Sequence, residues 1–184
     1  MKIYHGTNIG GIEVLEPRKS LHEKAYVYFS TDIVVATLYT AGAVEKPHYW
    51  YPYGFDKEGR VKYDEIYPAA LKDVYDNKVG FVYECEADED LLENPTNIHC
   101  ARLSALPVKV TGCIKIDNIY EQFLEYIDEG KFVLVEHEKV SDGTMSFYRK
   151  SIIDSLKKYE TGCDYARFIK EKMPDIWQEF IKGE

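Results

Sequence analysis

The sequence contains no long hydrophobic run: nothing in it approaches the roughly 20 consecutive apolar residues of a membrane-spanning helix. A membrane partner is therefore not expected. Its first residues, MKIYHGTNIGG, lack the charged and then apolar layout of a secretion signal, so a cytoplasmic location is expected. Positive charge is scarce, with 23 Lys and Arg against 32 Asp and Glu and a formal net charge of -9. A surface of that sign repels a phosphate backbone unless its cations gather on one face, so nucleic acid is not an expected partner. The chain has four cysteines, Cys85, Cys100, Cys113 and Cys163, with no C-x-x-C pair and no histidine at metal-ligand spacing. That argues against a zinc site or a disulfide framework and for buried free thiols, with no metal expected. Internal repeats, low-complexity tracts and linkers are absent as well.

What is present is enough apolar material for one core. A chain of 184 residues with 45% hydrophobic content reads as a single domain over 1–184. Aromatics are abundant, with sixteen tyrosines, several of them in His48-Tyr49-Trp50-Tyr51-Pro52-Tyr53. Such a cluster suits a wall on which a flat ring stacks, and equally a loop folded onto the core.

Periodicity predicts an α+β chain. Residues 2–5 (KIYH) alternate and end at Gly6, and 25–30 (AYVYFS) are rich in strand formers. Thr31 or Asp32 is then placed to cap a helix starting near Ile33, whose apolar face is Val34, Val35, Leu38 and Tyr39. Residues 47–68 hold aromatics, glycine and prolines without a period and read as an irregular insertion. Strands are predicted at 79–86, 106–111 and 131–136, with a helix capped by Asp117 and running through Tyr126. From about 144 to 184 the pattern is helical, and Pro174 should kink or divide the last helix. The apolar stripe of this C-terminal part reads as core more readily than as an interface with another protein.

Three local motifs carry the chemistry: His5-Gly6-Thr7 at a strand end, Val27-Tyr28-Phe29 on the next strand, and Tyr39 eleven residues past Tyr28. In this order they resemble the ADP-ribosyltransferase superfamily, in its diphtheria-toxin-like and poly(ADP-ribose) polymerase-like branch. The resemblance covers the first quarter of the chain closely and extends loosely to about residue 120. It implies a split antiparallel sheet with peripheral helices, to which the helical C-terminal part is added, and it implies NAD as a substrate. By resemblance, the His5 imidazole bonds a ribose hydroxyl and the Gly6 backbone pairs with the nicotinamide amide. Thr7 adds a hydroxyl, and Tyr28 and Tyr39 sandwich the nicotinamide ring. Such a site works by holding NAD bent with its ribose carbon exposed, because the glycosidic bond breaks through an oxocarbenium-like transition state.

The chain also departs from that pattern. Ala36 stands where the polymerases carry a serine that bonds the carboxamide, and the later strand has no glutamate. Ser104 is the first candidate for that third position and Arg102 the second. The arginine-targeting branch offers another alignment, in which Ser30-Thr31 and Glu84-Cys85-Glu86 supply its motifs, although the arginine on its first strand is missing. Alternation puts Glu84 and Glu86 on one face, where they equally form a solvated sheet surface. The tRNA 2'-phosphotransferases also lack the glutamate, but they need a cationic pocket that a net charge of -9 does not favour. The expectation is mono-ADP-ribosyl transfer to a protein or small acceptor, or NAD hydrolysis, without polymer synthesis. The alternative is an inactive relative that binds NAD, ADP-ribose or a protein partner through the same cleft.

Overall fold

The computed structural model describes residues 1–19, 24–41, 53–160 and 162–183. In chain order the elements are β1 (Lys2–Thr7), β2 (Val14–Leu15), β3 (Val27–Ser30), α1 (Ile33–Leu38), β4 (Tyr53–Phe55) and β5 (Val61–Asp64). These are followed by α2 (Ala70–Tyr75), β6 (Gly80–Glu86), β7 (Ala101–Ser104), β8 (Val108–Ile116) and α3 (Ile119–Asp128). The chain ends with β9 (Phe132–Val135), α4 (Asp142–Leu156), α5 (Asp164–Lys172) and α6 (Pro174–Lys182). The fold is mixed α+β, with an antiparallel sheet and a helical C-terminal part. No helix among the described residues is long and apolar enough to cross a membrane.

Contacts divide the chain into two compact units, Met1–Gly42 with Tyr75–Lys131, and Ala43–Val74 with Phe132–Glu184. The first holds a six-stranded sheet in the order β2-β8-β6-β1-β3-β7, every pairing antiparallel. On one face Ile3, Leu15, Val27, Phe29, Tyr83, Cys85 and Val108 form a buried cluster. The other face is covered by α1 and α3: beside Gly80 lie Thr40 and Ile119, and Phe123 packs its ring 4.9 Å from that of Tyr75. The Tyr75 hydroxyl donates to the Leu38 carbonyl at 2.8 Å, which satisfies a polar atom that would otherwise be buried at a cost.

In the second unit β4, β5 and β9 form a three-stranded sheet, antiparallel between β4 and β5 and parallel between β5 and β9. Ile152, Leu156, Ile169, Ile176 and Phe180 of the C-terminal helices are buried. Arg149 of α4 clamps α6 by bonding Asp175 at 2.5 Å and Glu179 at 2.9 Å. Proline at the first position of α6 divides it from α5 at Met173, since the ring cannot supply the amide that a continuous helix needs.

Several local expectations are corrected. Residues 53–64, part of the expected irregular insertion, form the β4–β5 hairpin, turned through Gly59 at φ 82 and closed by the Asp56–Arg60 ion pair. The rest of the aromatic cluster, residues 48–52, lies outside the described residues. The helix expected from Asp117 is capped instead by Asn118, whose side chain accepts the Tyr120 amide. Of the four thiols, Cys85 and Cys100 are buried, Cys113 is exposed on β8, and Cys163 accepts the Ala166 amide as the cap of α5. The strand expected at 106–111 begins at Val108 and runs on to Ile116, while 101–104 form a strand of their own.

Candidate functional site

The site is built where the sheet of the first unit divides. β1 pairs with β6 over six residues, from Lys2↔Glu86 to Thr7↔Phe81, but with β3 at the single rung Tyr4↔Ser30. Just before β3, Tyr26 exchanges both backbone hydrogen bonds with Arg18, at 3.1 and 3.2 Å, rather than with β1. Between these two rungs Tyr28 faces the gap, because hydrogen-bonding direction alternates along an antiparallel strand. The same alternation turns the N–H and C=O of Gly6 from β1 toward β3, two residues past the last rung. The result is a slit flanked by the backbones of Gly6 and Tyr28.

His5 bridges this slit, its Nδ1 lying 2.8 Å from the Tyr28 carbonyl. A carbonyl only accepts, so Nδ1 carries the proton and the Nε2 of a neutral ring is left as an acceptor. Burial pushes the His5 pKa below its usual value of 6.5, the bond to the Tyr28 carbonyl opposes that shift, and the Arg18 charge adds to it. The ring packs edge-on against Phe29 at 6.0 Å. His5 and Phe29 therefore share one sheet face, while Gly6 and Tyr28 belong to the other, as the Tyr4↔Ser30 register requires.

On the Gly6 face lies α1. Asp32 caps it by accepting the Val34 amide at 2.8 Å, and Tyr39 closes its other end by donating its amide to the Ala36 and Thr37 carbonyls. A Cβ at Gly6 would sit 1.8 Å from the Ala36 carbonyl oxygen, so only glycine lets helix and strand meet here. Ala36 thus reaches the site through its carbonyl, its side chain being buried. Tyr39 is 42% exposed at the end of this helix, and Tyr28 is half-buried with its ring 6.5 Å from that of Tyr26. The hydroxyl of Thr7 accepts the Ile9 amide at 3.3 Å and shapes the turn that leaves β1.

The candidates for the third position lie elsewhere. Ser104 is paired with Val27, is only 3% exposed, and uses its hydroxyl on Leu106, donating to the carbonyl at 2.8 Å and accepting the amide at 3.2 Å. Arg102 donates to the carbonyls of His99 and Ala101. Glu84, opposite Tyr4, pairs with Lys2 at 2.7 Å, and exposed Glu86 lies 4.0 Å from the N-terminal amine. Both carboxylates are engaged by cations at the start of β1. Among the described residues no three His, Cys, Asp or Glu side chains group as metal ligands.

One carboxylate escapes the motif reading. Glu93 exchanges both backbone hydrogen bonds with Leu103 at 2.8 Å, and Leu103 is the β7 partner of Tyr28. Tyr28, Leu103 and Glu93 therefore form one row across the sheet with their side chains on one face. Glu93 accepts the Tyr26 hydroxyl at 2.6 Å and is also bonded by Lys24. These bonds, that of Lys24 first, hold its carboxyl below the usual range, and the Glu93 carboxylate in turn raises the Tyr26 phenol. Nothing in the acidic stretch 86–93 distinguishes this glutamate from its neighbours; the signal is tertiary.

Comparison with known proteins adds no relative to this description: no family model, no curated protein and no solved structure matches the chain.

Proposed function

We propose that the slit between β1 and β3 binds the nicotinamide end of NAD, and that the chain is an ADP-ribosyltransferase-like protein with a split antiparallel core. The observation that carries this reading is the direction of the Gly6 backbone. A primary carboxamide offers one donor and one acceptor side by side, and the N–H and C=O of Gly6, turned together into the gap, are their complement. Tyr28 on the same face and Tyr39 at the end of α1 supply aromatic surface for the attached ring. On the other side of the slit, the Nε2 of neutral His5 accepts a hydroxyl proton, which suits a ribose. A cationic ring between electron-rich aromatic faces is favoured over a neutral one, so oxidised NAD is the preferred ligand.

Turnover is slow in this reading. Removing one preorganised partner of the transition-state charge costs roughly a hundredfold to a thousandfold in rate, and the Ser104 hydroxyl, held by Leu106, carries no charge to offer. Mono-ADP-ribosyl transfer to a protein or small acceptor, or NAD hydrolysis, follows, without polymer. The commitment of Ser104, Glu84 and Glu86 to other partners favours a second reading, in which the chain binds NAD, ADP-ribose or a protein without catalysis. Incubation with NAD labelled in both the nicotinamide and the adenylate parts separates these readings. Released nicotinamide with label on an acceptor or in free ADP-ribose supports the first, and binding without release supports the second. Absence of NAD binding at millimolar concentration would reject the first reading and the NAD-binding form of the second.

A further inference from the structure

In the proposed reading Tyr28 offers the ring surface beside the slit, and a series of contacts reaches it from Glu93 through Tyr26. The ring of Tyr26 meets that of Tyr28 at 6.5 Å and 70°, an edge-to-face arrangement that restricts how either ring turns. Tyr26 itself is 7% exposed, and its hydroxyl ends on the Glu93 carboxylate. A phenol donating to a carboxylate at 2.6 Å makes a short, charge-assisted bond. The second carboxylate oxygen is taken by Lys24. The backbone of Glu93 is locked as well, by the two 2.8 Å bonds that make it the outer rung beyond Leu103 in the row of Tyr28. Contacts thus run without a break from Glu93 through the Tyr26 hydroxyl and ring to the Tyr28 ring. The arrangement joins residues that are far apart in sequence, Lys24 and Tyr26 on one side and Glu93 on the other.

We propose that Glu93 is a positioning residue of this site, anchoring the Tyr26 phenol and, through the Tyr26 ring, the face that Tyr28 presents to a bound ring. This role presupposes the ring-binding reading of the slit. It separates the two parts of the ligand: a disturbed Tyr28 weakens binding of the nicotinamide ring and leaves an ADP-ribose moiety unaffected. A general loss of fold would weaken both.

The test uses the full chain, calorimetry, and two probes, NAD and ADP-ribose. Glu93→Ala and Tyr26→Phe should each weaken NAD roughly tenfold, the effect of losing one hydrogen bond to a charged group. The double variant should be no weaker than either single one, because both remove the same bond. ADP-ribose affinity should stay within about twofold, and Glu93→Gln, which keeps an acceptor for the phenol, should restore most of the NAD affinity. Unchanged NAD affinity in Glu93→Ala, or equal losses for both probes, would overturn the role. If the wild-type chain binds neither probe, the NAD reading fails. Glu93 is then judged without ligand, by the ring NMR resonances of Tyr28 assigned through Tyr28→Phe. They should shift in Glu93→Ala and return in Glu93→Gln, and resonances that stay in place would remove Glu93 from the argument.

Discussion

Replacing Gly6 by alanine is the sharpest test of how this site is assembled. The added Cβ would meet the Ala36 carbonyl oxygen at 1.8 Å and its carbon at 2.8 Å, with the Thr40 methyl at 3.3 Å. A carbon seldom approaches a carbonyl oxygen closer than about 3.3 Å, so helix and strand must part by on the order of 1.5 Å. A backbone carbonyl cannot swing aside as a side chain does, which places the cost at the upper end of the roughly 1–3 kcal/mol typical of overpacking. Alanine recovers about 0.5–1 kcal/mol through the lower entropy of the unfolded chain, leaving a net loss of about 2 kcal/mol. Urea unfolding should show this as a lower midpoint at unchanged slope, with a thermal midpoint down by roughly 4–8 °C. Gly143→Ala is the control, because a Cβ there meets nothing within 4 Å and the position lies inside α4. It should stabilise by up to about 1 kcal/mol. A Gly6→Ala protein within about 0.5 kcal/mol of wild type would refute the claim that the Gly6–Ala36 approach sets the floor of the site.

Other consequences follow from the same geometry. Asp32→Ala removes the cap of α1 and should cost about 1 kcal/mol, seen as faster hydrogen exchange at the Val34 amide; unchanged exchange would count against the cap. Tyr39→Ala should weaken NAD by on the order of 1–3 kcal/mol by calorimetry, and an unchanged affinity in a folded variant would leave Tyr39 outside the site. His5 gives a pH dependence of definite sign. Its folded pKa lies below the 6.5 of the unfolded chain, so as pH falls below about 6.5 the unfolded state binds the proton first and stability drops. Above that pH the residue contributes no slope. Unfolding curves between pH 7.5 and 5 should therefore lose part of their acid slope in His5→Gln, and an identical slope would show that the ring is not held neutral.

The local grammar of the chain was open to reading from its residues, because each such feature depends on near neighbours. Strand alternation at 2–5, a cap at Thr31 or Asp32 ahead of an apolar face, and the break at Pro174 involve interactions within a few residues, and the structure has all three, with Asp32 taking the cap. Even here, neighbouring cappers compete, and Asn118 displaces Asp117 through a choice of one residue. The order His5, Gly6, Tyr28, Tyr39 was likewise visible along the chain. What the residues could not say is which strands pair, over what length, and which face each side chain takes. That β1 leaves β3 after one rung, that Arg18 takes up the edge at Tyr26, and that Ala36 meets Gly6 are outcomes of long-range packing. So is the fate of Ser104, a polar residue at a strand end that proved to be buried and tied to Leu106. Glu93 makes the same point from the other side. Among several acidic neighbours only tertiary pairing with Leu103 brings it to Tyr26 and Lys24, because partners 67 and 69 residues away leave no trace in local pattern.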